Sequence, residues 1–106
     1  MMFTRLYIGE NDDLGKNSFR DILITLSESE LVPRTLVFWN NAVKACVEGS
    51  PLLPVINKIE KLGVRVLVAG HALDKLGIKG AMRAGKLANH FDLLDAINQV
   101  QKVINF

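Results

Sequence analysis

Cysteine is nearly absent from this 106-residue chain: Cys46 is the only one. One thiol cannot close an internal disulfide, so the fold must rest on packing, as in a reducing compartment. Long apolar runs are missing too. None approaches the roughly 20 residues that span a bilayer. The N-terminal Met1-Met2-Phe3-Thr4-Arg5 has no basic stretch followed by an apolar one, so it does not read as a secretion signal. The expectation is a cytoplasmic protein with no membrane contact. Net charge is only +2, which leaves no nucleic-acid footprint. Walker-type and Gly-x-Gly-x-x-Gly loops are lacking, and Gly77, Gly80 and Gly85 have the wrong spacing for either. The two histidines, His71 and His90, have no carboxylate or thiol at ligand spacing, so neither a metal nor another cofactor is expected. No nucleophile–base–acid set is visible, and the chain does not read as an enzyme.

What the chain does have is apolar residues, 49% of the total, in a length that fits one domain over residues 1–106. Phe3 to Ile8 reads as a first strand and Gly9 to Asp13 as a turn whose acids suit a helix N-terminus. Leu14, Phe19, Ile22, Leu23 and Leu26 recur at helical spacing. Thr35 to Trp39 is almost wholly apolar, as in a strand covered on both faces. Asn40 to Gly49 is a polar crossover without a clear period. Ser50-Pro51 opens a second helix with Leu52, Ile56 and Ile59 inward, and Gly63 fits its left-handed end. Val64 to Val68 is a third strand, and Ala72 to Leu76 is long enough for one helical turn. The stretch to Lys86 resists assignment. Asn89 caps a last helix with Phe91, Leu94, Ile97 and Val100 on one stripe, broadened by Leu93 and Ala96, and Val103-Ile104 reads as a terminal strand. This alternation predicts an α/β protein with a parallel sheet and helices on both faces.

Chemistry in such a fold is expected at the carboxyl edge of the sheet. Asn40, Asn41 and Lys44 follow the second strand. Asparagine tolerates left-handed backbone, so a structural turn and a polar pocket lining are both open. Gly70 and His71 follow the third strand. Gly70 permits tight geometry or close approach of a ligand, and His71 is either a ligand contact or a packed turn residue. Cys46 is either an inert small hydrophobe or, if His71 or Lys44 lies near, a thiolate. From Lys75 to Asn89 the only charges are Lys75, Lys79, Arg83 and Lys86. They form either an anion-attracting patch or a solvated face whose acids come from elsewhere. Trp39, Phe38 and Phe91 read as core or interface, and His90 as solvent-facing or at a subunit contact.

The turn Ala69-Gly70-His71-Ala72-Leu73-Asp74 resembles the Cys-Gly-Thr-Cys-Leu-Asp turn of the DsrE-like domain in YedF-type proteins, within the DsrE/DsrF sulfur-relay superfamily. Asp13-Leu14-Gly15-Lys16, Val37 to Lys44, Val47-Glu48-Gly49-Ser50 and Gly85 to Asp92 resemble further segments of that domain in the same order. The resemblance implies a three-layer α/β/α domain around a mainly parallel five-stranded sheet and assembly as a trimer or hexamer. It also implies a protein partner where sulfur is passed along a relay. Two cysteines of the turn are replaced here by Ala69 and Ala72, and position 46 is not a cysteine in the family. The TusA-like domain that precedes the DsrE-like domain in YedF-type proteins has no counterpart in this sequence. The expected function is therefore a non-catalytic DsrE-like protein that binds a small ligand or protein at the sheet's carboxyl edge. The alternative is a sulfur carrier using Cys46.

Overall fold

The computed structural model describes residues 1–99. It contains four parallel strands in sequential order: β1 (Met2–Phe3), β2 (Thr35–Phe38), β3 (Arg65–Ala69) and β4 (Lys86–Ala88). Between them run α1 (Asp13–Glu28), a 3₁₀ segment (Asn40–Cys46), α2 (Leu53–Lys61), α3 (Gly70–Lys75) and a short 3₁₀ turn (Lys79–Ala81). α4 (His90–Asn98) follows β4. Neighbouring parallel strands joined by right-handed crossovers place successive helices on the same face. Accordingly α1 and α2 pack side by side.

The sheet departs from expectation in three places. It has four strands among the described residues rather than five, and Val103-Ile104 lies outside them. β1 is only Met2–Phe3, where Phe3 to Ile8 is expected to be extended. The chain leaves the sheet because Phe3 already completes the pairing with Phe38, and Ile8 N–H then bonds the Gly15 carbonyl at 3.0 Å. That contact folds the loop onto the first turn of α1, where a side chain at Gly15 would collide with the carbonyls of Ile8 and Glu10. β4 is a strand that Lys86-Leu87-Ala88 does not announce, since none of the three is β-branched. Its pairing comes from β3 instead: Leu67 with Lys86, Val68 with Leu87, Ala69 with Ala88.

The helices follow their signals more closely. Asp12 caps α1 by accepting from Gly15 N–H at 2.8 Å. Phe19, Leu23 and Leu26 are buried as the stripe requires, whereas Leu14 is 75% exposed. In α2 Ile56 and Ile59 are fully buried, and Ser50 Oγ accepts the Leu52 N–H one turn before the helix begins. Asn89 and Asp92 form a capping box at α4. There the expected apolar stripe is displaced. Leu93 and Ala96 face the core, while Phe91 is 84% and Leu94 58% exposed. The core joins Phe3, Phe19 and Phe38: Phe3 meets Phe19 edge-on with centroids 5.1 Å apart and stacks on Phe38 at 5.7 Å. Burying each such ring stabilises the fold by about 2–3 kcal/mol.

Candidate functional site

Four parallel strands bring four connections to one edge. Phe38 ends β2, so Trp39 and Asn40 emerge there, and Trp39 N–H is held by the Phe3 carbonyl at 2.9 Å. Ala69 and Ala88 are paired partners at the ends of β3 and β4. His71 and His90 each lie two residues beyond that pair. The register therefore sets their rings against each other, with centroids 5.2 Å apart and planes inclined by 49°. On its other side His90 meets Trp39, with centroids 6.0 Å apart. Three strands thus contribute one ring each to a continuous row, Trp39–His90–His71. The capping box fixes the start of α4, with Asn89 N–H donating to Asp92 Oδ2 at 2.9 Å and Asp92 N–H to Asn89 Oδ1 at 2.8 Å. His90 is the first residue of that helix.

His71 stands between two open clefts. One, of about 220 Å³, is lined by Asn40, Asn41, His71, Ala72, Lys75 and Leu76. The other, of about 340 Å³, is walled by Gly70, His71, Asn89 and His90, with Asp74 and Lys79 at its mouth. Asn40 holds φ +52°, the left-handed backbone that asparagine accommodates. Gly70 is buried and tight: a Cβ there would sit 3.2 Å from Leu87 Cδ1. Two of the four cations in the basic run are paired. Lys79 reaches Asp74 at 3.7 Å, and Arg83 reaches Glu48 at 3.5 Å. Both pairs are exposed and contribute little stability. Among the described residues no three His, Cys, Asp or Glu side chains are grouped to hold a metal ion, and no helix is long and apolar enough to cross a membrane.

The structure thus gathers Asn40, Asn41, Gly70 and His71 around one stretch of edge and separates the other two candidates from it. Lys44 lines a third cleft, on the far side of the 3₁₀ segment. Cys46 lines none of these three clefts. It closes the 3₁₀ segment with 0% exposure. Its carbonyl accepts from Arg83 N–H at 2.8 Å and Ala84 N–H at 3.2 Å, which anchors the segment before β4 beneath it. Burial first, and the charge of Glu60 second, push the thiol up to about 12 from its usual value of 9.0. Glu60 is itself fixed from the other side, accepting the Gly85 N–H at 3.0 Å. A thiol in that setting is protonated and unavailable at neutral pH.

His90 and Trp39 join the site although their side chains read as solvent-facing, core or interface from the sequence. Their signal is positional. Trp39 directly follows β2 and His90 lies two residues past β4, and seeing this for His90 requires β4.

No family model and no curated protein matches the chain. Among solved structures, the chain is similar to the ychN protein from E. coli: TM-score 0.73 at 16% identity, covering 99% of this chain and 96% of that one. This likeness shows the fold alone, an α/β fold with helices packed on a parallel sheet.

Proposed function

We propose that the chain is a non-catalytic, cytoplasmic DsrE-like protein of the YedF type that binds a small ligand or a protein partner at the carboxyl edge of its sheet, around His71. The observation that carries this reading is the ring row Trp39–His90–His71 flanked by two clefts. Flat rings, carboxamides at Asn40 and Asn41 and a closely packed Gly70 offer stacking faces and hydrogen bonds without a nucleophile. The site of the superfamily turn is thus kept as a recognition surface, with Ala69 and Ala72 in place of thiols.

Self-association belongs to the same reading, as the resemblance implies a trimer or hexamer. The exposed Phe91 and Leu94 of α4, with half-exposed Leu87 beside them in sequence, support it. Light scattering at micromolar concentration should give an oligomeric mass that Phe91→Glu with Leu94→Glu reduces; a monomeric mass for the parent chain contradicts it. The Cys46 carrier reading would require the core to open before any sulfur could be accepted, and nothing at the edge favours that.

The binding proposal is tested by a fragment library read through amide chemical shifts. Hits should move His71, Asn89 and His90 and disappear in His71→Ala. Hits that ignore this edge, or survive that substitution unchanged, would remove the proposal.

A further inference from the structure

The third cleft lies where β1 and β2 end, away from the ring row. Its volume is about 340 Å³, at the lower end of the range for small-molecule sites. Leu6, Phe19, Ala45, Pro51 and Leu52 supply its apolar surface. Phe19 and Ala45 belong to the core, and Leu6 and Leu52 pack against it. Lys16, Arg20 and Lys44 stand on the rim, and no carboxylate lines the cleft. Arg20 shares Asp21 at 3.5 Å, but Lys16 and Lys44 make no ion pair among the described residues.

An apolar recess with cations around its mouth has a definite complement. A neutral apolar molecule gains nothing from the lysines, and a compact inorganic anion gains nothing from the floor. A cationic amphiphile is repelled. We propose that this cleft binds a small amphipathic anion: a carboxylate or sulfonate at one end and about six to ten carbons of aliphatic or aromatic body at the other. The body rests against Leu6, Phe19 and Leu52, and Lys16 and Lys44 hold the anionic head. The three connections that build the wall come from different parts of the chain: the loop after β1 with α1, the 3₁₀ segment, and the entry to α2. A ligand seated there therefore ties them together.

The test titrates the full ¹⁵N-labelled chain with octanoate, octan-1-ol and octylammonium. Octanoate should shift the amides of Lys16 to Arg20 and of Lys44 to Leu52, binding at least about fivefold more tightly than the alcohol, with octylammonium weaker still. Lys16→Ala with Lys44→Ala should weaken octanoate about five- to tenfold and leave the alcohol unchanged; both lysines are exposed, so the fold is retained. Arg20→Ala gives a second, smaller loss. The proposal is overturned if octanoate and octanol bind equally, if the double variant binds octanoate as the parent does, if the shifts gather on Phe91 and Leu94, or if millimolar octanoate shifts nothing. The amides around His71 report separately, so failure here and failure of binding at the ring row are distinct results.

Discussion

Cys46 and His71 leave the same edge of the same sheet, and they end in opposite environments. Cys46 closes a 3₁₀ segment whose apolar residues Ala42, Val43 and Ala45 turn inward, and it is carried into the core with them. His71 sits on the first turn of α3, where Ala72 and Leu73 take the buried positions and leave the imidazole outside. Sharing an edge thus settles neighbourhood along the sheet and leaves depth open. Depth is decided by the helical phase of each connection. It makes the chain's one sulfur nucleophile silent and its exposed imidazole available.

The contrast breaks most visibly under a buried charge. Cys46→Asp places an unpaired carboxylate in the core and should cost roughly 4 kcal/mol or more, enough to prevent cooperative folding; His71→Asp should stay within about 0.5 kcal/mol. Urea denaturation of the pair checks this, and a well-folded Cys46→Asp would show the position to be wet. A smaller effect follows from pH. The folded thiol keeps its proton up to about 12, while the unfolded one releases it near 9.0. Between those values the folded state binds more protons, so this contribution is whole below pH 9 and is lost as pH rises toward 12. Stability should therefore fall by about 1.4 kcal/mol per pH unit in that window relative to Cys46→Ala, which lacks the group. Parallel slopes for the two proteins would place the thiol in solvent. The smallest effect lies beside His71. Asn40→Ala should cost about 1 kcal/mol at its left-handed backbone and Asn40→Gly close to nothing, by thermal unfolding. Equal losses would assign the cost to the side chain's contacts instead.

Much of this was legible in the residues. Strand-like runs at Thr35–Trp39 and Val64–Val68, the acidic turn before α1, the cap Asn89 and the left-handed Gly63 each stand where local chemistry puts them. The edge location of Asn40, Asn41, Gly70 and His71 followed from parallel topology alone. β4 was not legible, because its pairing is dictated by β3 and by the fit of Gly85 at φ +80° against Val66 and Val68. Without β4 the contact of His90 with His71 has no visible cause. The phase of α4 is hidden in the sequence for a related reason. Phe91 and Leu94 carry the larger apolar groups, but the capping box at Asn89 and Asp92 sets the rotation that buries Leu93 and Ala96. Adjacency in sequence groups Lys44 with the asparagines, and the 3₁₀ turn carries it to another cleft.

In the folded protein Cys46 is silent toward sulfane sulfur. Native protein treated with polysulfide at neutral pH and weighed intact, with Cys46→Ser as control, tests this directly. The predicted result is a mass unchanged in both, with the adduct appearing in the parent chain only after denaturation. A sulfane adduct on Cys46 while the protein remains folded would contradict it.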